Sequence, residues 1–159
     1  MYQLDKSVWT QDDYEQMGWH DCVVHGIGFA SGNEQYPYDL LFDIDYIFNW
    51  VHPVPPEKHF SFWISPCTLI FKDIYSLHMQ IESDALDFLE IDVIKMVNKT
   101  EQNGVWVYEW EIWLQEGCIS FKSSGFRQII RFKPVFSKTL SLTIEDRRGI
   151  NFELTPCEL

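Results

Sequence analysis

The sequence predicts a mainly β, antiparallel domain: a sandwich or a partly open barrel of eight to ten strands with one short N-terminal helix. Three observations carry that expectation. Residues 38–51 alternate at period two, with Tyr38, Leu40, Phe42, Ile44, Tyr46 and Phe48 on one face and Asp39, Asp43, Asp45 and Asn49 on the other. Residues 106–114 alternate likewise, setting Trp106, Tyr108, Trp110, Ile112 and Leu114 against Val107, Glu109, Glu111 and Trp113. Short turns separate most of these runs, and the strand–helix rhythm of a parallel α/β sheet is absent.

Taken in order, the helix comes first, over residues 10–17. Thr10 suits an N-cap with Asp13 three residues on, acidic residues suit its first turn, and Gly18 is expected to stop it. Residues 22–30 read as a strand in which Gly26 and Gly28 mark a bend or a close approach of another segment. Residues 31–37 read as a turn, and 52–59, with Pro53, Pro55 and Pro56, as a loop. Strands are expected at 60–64 and 68–71, separated by Pro66, then at 76–81 and 89–97 with the acidic turn 82–87 between them. Residues 98–104 (NKTEQNG) read as a polar connection whose Asn-Gly pair signals a hairpin. Residues 118–122 and 126–133 follow as strands, and 139–144 and 150–154 are expected to pair as a last hairpin around 145–149 (EDRRG).

The chain has 159 residues, 46% hydrophobic and 16% aromatic, enough for one packed domain, 1–159. Its formal net charge is −12, which argues against a nucleic-acid binder that works by neutralising phosphates. The charge is uneven. Residues 1–117 carry 20 Asp+Glu and 5 Lys+Arg, a net −15, whereas residues 118–159 carry 4 and 7, a net +3. Arg127, Arg131 and Lys133 alternate along one strand, and the expected partners of this basic stripe are the chain's own acidic strands. No membrane helix and no signal peptide are expected. The four cysteines lack CxxC spacing and read as reduced thiols of a cytoplasmic protein.

Two constellations are candidates for chemistry. The first is Trp19, His20 and Asp21, with His25 downstream. Two imidazoles and a carboxylate suit a divalent metal, with His52 or His59 as further ligands, but in an extended chain His20 and His25 have opposite parity. The structural alternative buries Trp19 at the helix end and lets Asp21 accept a hydrogen bond there, so no cofactor and no metal are expected. The second is the pair Asp43 and Asp45, with Glu109 and Glu111 on another strand. Carboxylates two apart on a strand lie about 6.5–7 Å apart, a separation that suits acid–base work, although alternating acids are also how a solvent-facing strand is written. No GxSxG, P-loop, GxGxxG or HExxH signature occurs.

At residues 17–29 (MGWHDCVVHGIGF), 40–53 (LLFDIDYIFNWVHP), 62–71 (FWISPCTLIF) and 121–131 (FKSSGFRQIIR) the chain resembles a family of small, uncharacterised bacterial proteins. The resemblance covers most of 17–134 and implies no activity and no functional residues. In size and acidity the chain is similar in character to immunity proteins of polymorphic toxin systems. The expected function is therefore a cytoplasmic, non-enzymatic binding domain, with an immunity-type protein as its narrower form, that presents an acidic surface to a basic protein partner. A small-ligand-binding β-barrel and a metal-dependent enzyme at the GWHD segment are the alternatives, and the oligomeric state is open.

Overall fold

Period-two alternation is realised as long strands. The structure, a computed structural model, describes residues 2–32, 34–84 and 88–159. Asn33 of the 31–37 turn and the last part of the 82–87 turn lie outside the described residues. The strands are β1 (Val8–Thr10), β2 (Cys22–Ser31), β3 (Tyr38–Val51), β4 (Ser61–Lys72), β5 (Tyr75–Ile81), β6 (Leu89–Gln102), β7 (Val105–Leu114), β8 (Gly117–Ser123), β9 (Gly125–Ile130) and β10 (Val135–Ser137). They form one open antiparallel sheet in the order β1-β9-β4-β3-β2-β6-β7-β8-β5, with β10 beside β4.

The sheet curls over itself. Trp110 of β7 meets Phe126 of β9 at 5.5 Å between ring centroids, and Phe121 of β8 meets Phe71 of β4 at 4.7 Å, although these strands stand far apart in the order. The inside of the curl is filled by Leu40, Phe42, Ile44, Leu69, Phe71, Ile112 and Phe126 around Trp19 and Trp110. Both buried indoles find acceptors: Trp19 Nε1 donates to Gln128 Oε1 at 2.8 Å and Trp110 Nε1 to Ser123 Oγ at 2.9 Å.

The helix is a six-residue 3-10 helix, Gln11–Gln16, with the expected capping box between Thr10 and Asp13. Its end is set by a backbone bond, Met17 N–H to Tyr14 O, rather than by Gly18, whose N–H donates to the Tyr46 hydroxyl. Strand boundaries differ from expectation at several places, and β9 stops at Ile130 rather than at residue 133. The β6–β7 ladder continues to Gln102↔Val105, so residues 98–102 are strand, and only Asn103-Gly104, both at positive φ, make the turn. Strand β4 runs straight through Pro66. A residue's N–H and C=O point to the same side of an antiparallel strand, and the Pro66 carbonyl accepts from Arg131 N–H at 3.1 Å. The missing donor therefore falls just beyond the ladder to β9, which ends at Cys67↔Ile130, and β3 loses nothing.

The larger correction concerns the C-terminus. Residues 139–144 and 150–154 form no strands. A turn does close between them, through Gly149 N–H to Ile144 O and Arg147 N–H to Thr143 O. Beyond it, Leu142 N–H goes to Asp45 and Asn151 N–H to Asp43 instead of to carbonyls of the opposite segment. Residues 138–159 thus run as an irregular strap over the side of β2, β3, β4 and β9 that faces away from the aromatic core. The two strand glycines let it approach: an added Cβ would stand 3.0 Å from Ile150 Cγ2 at Gly26 and 3.3 Å from the Phe152 ring at Gly28.

Trp19 is 3% exposed and joins the helix end to the core. Trp19→Ala is expected to lower the unfolding free energy by about 3–5 kcal/mol, read from denaturant melts.

Candidate functional site

A strand that alternates Asp43, Ile44, Asp45 puts both carboxylates on one side, the side the strap covers. Both are 0% exposed, as is Arg147. This overturns the solvent-facing reading of β3, and Asp39, at 2%, is buried too, with its carboxylate on Lys72. Arg147 reaches from the strap turn to grip Asp43 with two bonds, Nη1 to Oδ2 at 2.8 Å and Nη2 to Oδ1 at 2.9 Å. Its Nε and Nη2 each approach Asp45 Oδ1 at 3.2 Å. Arg131, from the chain just after β9, adds Nη2 to Asp43 Oδ1 at 2.5 Å and Nη1 to Thr68 Oγ1 at 3.0 Å. The expected pairing of the basic stripe with acidic strands is thus realised by Arg131, whereas Arg127 is exposed.

Burial pushes the Asp43 carboxyl up, but hydrogen bonds from Arg147 and Arg131 outweigh it and hold the group below its ordinary value. Burial likewise opposes the charge of Arg147, but its bonds to Asp43 and the Asp45 charge outweigh this and hold it above the ordinary guanidinium value. Asp43 and Arg147 are therefore held as an ion pair.

His25 joins this network beside a bulge. The β2–β3 register shifts between Val24 and Gly26, making His25 the extra residue, and the strand then presents Val23, His25 and Gly26 all to the strap side. His25 Nε2 lies 2.9 Å from Asp45 Oδ2, the oxygen that also accepts Leu142 N–H at 2.8 Å. Above the imidazole, strap and sheet enclose a groove of about 860 Å³. Its walls are Trp50, Phe60, Phe62 and Phe88 on one side and Leu140, Leu142 and Ile144 on the other, with Asp21, Glu90, His59 and Lys138 among the lining. Burial and the neighbouring Asp21 charge raise the Glu90 carboxyl above its ordinary value.

The candidate residues therefore separate. Trp19 is structural, its indole tied to Gln128. Asp21 sits at φ 61° in the turn that Cys22 N–H closes onto Trp19 O, and its side chain lines the groove. The expected hydrogen bond to its carboxylate is not formed among the described residues, His20 Nε2 being 3.6 Å away. His20 is exposed, near the Asp92 carbonyl and stacked on Trp50 at 6.3 Å. Glu109 pairs with Lys122 at 2.8 Å and Glu111 accepts from Trp113 Nε1 at 2.9 Å, both on β7 and outside the groove. Among the described residues no three His, Cys, Asp or Glu side chains form a metal-holding group. No described helix is long and apolar enough to cross a membrane. Cys22 and Cys67 are buried and free, and burial pushes the Cys22 thiol up to about 12.

Comparison with protein-family models, with curated proteins and with solved structures gives no match. The site rests on its own geometry. Arg147 and the groove walls were not candidates from the sequence; the excess of basic residues after position 117 was the one signal that the tail pairs with the acidic strands.

Arg147→Met leaves two buried carboxylates with Arg131 as their only guanidinium, and is expected to cost about 3–5 kcal/mol at neutral pH. Because the Asp43 value is depressed in the fold, its contribution is full above the ordinary carboxyl value of 3.8 and is lost as pH falls below it. The stability gap between wild type and variant should accordingly narrow on acidification, measured by thermal melts across that range.

Proposed function

We propose that this chain is a binding domain whose groove holds a cationic, partly apolar segment of a basic partner protein. The observation that carries the reading is the groove: a hollow of about 860 Å³, within the range of about 300–1,000 Å³ of ligand sites, with aromatic walls and two carboxylates. Trp50, Phe60, Phe88 and Ile144 are exposed along it, an apolar patch of the kind that marks an interaction surface. Neither Asp21 nor Glu90 pairs with a Lys or Arg among the described residues, and the raised Glu90 value reflects burial and the repulsion that a bound cation would relieve. Lys138, the one Lys or Arg of the lining, is 3.0 Å from Glu57.

Long-range charge favours the same partner. Asp43, Asp45, Arg131 and Arg147 cancel within the network, so the net −12 of the chain lies outside it and steers cations inward. A ligand inside a closed barrel finds less support, since the curl is packed with side chains and the hollow lies outside it.

A peptide alternating Arg and Leu should bind saturably at one site, more weakly at high salt, and more weakly to Glu90→Arg, as followed by isothermal titration. Equal binding of a Glu/Leu peptide, or no binding of either, overturns the reading.

A further inference from the structure

We infer that His25 reads the bound segment: its Nδ1 accepts a hydrogen bond from the guanidinium of an arginine side chain held in the groove. The inference rests on the groove being the binding site and names the group that is recognised there.

The bonds behind the ring fix its tautomer. Asp45 already accepts Leu142 N–H on Oδ2 and Arg147 on Oδ1, so toward His25 it acts as an acceptor and the proton of that contact sits on Nε2. In the neutral ring Nδ1 is then a lone-pair acceptor. It has no partner among the described residues, and the side chain, 13% exposed, lines the groove. Alternation from Val23 sets the ring on this face, and the shared Asp45 oxygen ties it to the strap wall, so the acceptor is held in place before any ligand arrives.

The surroundings select the donor. Asp21 and Glu90 line the groove with His25; His59 is the other imidazole and Lys138 the only ammonium, which stands beside Glu57. Behind the ring, Asp43 and Asp45 are balanced by Arg131 and Arg147. An anion would meet two carboxylates, whereas a cationic donor meets an acceptor and two counter-charges. A planar guanidinium can donate to Nδ1 and a carboxylate together and stack on an aromatic wall, which a compact ammonium does less well.

The test uses the full chain with three peptides: Arg/Leu, Lys/Leu, and the Arg/Leu peptide with citrulline in place of arginine. The inference expects the Arg peptide to bind tightest and the citrulline peptide weakest. His25→Phe should weaken the Arg peptide about tenfold or more. Because that variant also removes a partner of Asp45, its fold is checked by melting, and the wild-type imidazole is read independently by two-bond ¹H–¹⁵N NMR. The expected spectrum is an Nε2–H tautomer whose Nδ1 resonance moves when the Arg peptide is added. Binding of the Arg peptide with no loss in His25→Phe and an unmoved Nδ1 overturns the role of His25 while leaving the groove reading intact. Citrulline binding equal to arginine overturns the guanidinium assignment. No binding by any of the three overturns both this inference and the groove reading.

Discussion

The Arg147 guanidinium, closed between Asp43 and Asp45, is the contact on which the rest of this side of the molecule hangs. Two carboxylates cannot be taken out of water on one strand without counter-charge, and only Arg147 and Arg131 supply it here. By binding Asp43 and Asp45, Arg147 draws the strap turn onto the sheet, and the strap's Leu142 and Asn151 N–H groups then complete the acceptor capacity of the same carboxylates. The cost of desolvating such a cluster is high, so its net worth to stability is small compared with the penalty of breaking it. What it gives the fold is placement: a strap without regular secondary structure takes one position.

The two sides of the sheet are thus held by different physics. Inside the curl, aromatic rings meet edge to face, Phe71 with Phe121 and Trp110, and Phe126 with Trp19 and Trp110. Such packing is strong but tolerant of small shifts. Under the strap, directional bonds between charged groups leave little latitude, and the side chains of Ile150 and Phe152 seat on the sheet where Gly26 and Gly28 carry none of their own. The groove opens at the margin of this second layer, where apolar strap residues face Phe60, Phe62 and Phe88 across a gap that neither side fills.

That placement gives the groove its chemistry. Asp45 serves three donors at once: Arg147, Leu142 N–H and His25. The imidazole that lines the groove and the wall beside it therefore share one anchor, and in the acidic lining burial and the Asp21 charge raise the Glu90 carboxyl. A cationic group entering there meets charge that the protein has not neutralised. The domain as a whole, with its net −12, favours such an arrival over that of an anion.

Much of the fold was legible in local pattern. The bounds of β3, the capping box of Thr10 with Asp13 and the Asn-Gly turn all follow from neighbours a few residues apart, and the two glycines of β2 marked where another segment comes close. The candidate site was legible only in pieces: His25, Asp43, Asp45 and Asp21 stood out, but not their relation. Alternation in 38–51 shows that the two faces differ in polarity; it does not say which face meets water. Asp43 and Asp45 carry the pattern of a solvated surface and are buried because a cation from 104 residues away folds over Asp43. Parity counting fails in a similar way beyond His25, since a single extra residue in the ladder turns Gly26 to the face that Val23 and His25 share. Sequence by itself determined the long central strands and the Asn-Gly turn, because hydrophobic period and backbone sterics act locally. The covering of the second face, the charge pairing beneath it and the groove were decided by tertiary structure alone, because desolvation depends on what the far end of the chain brings.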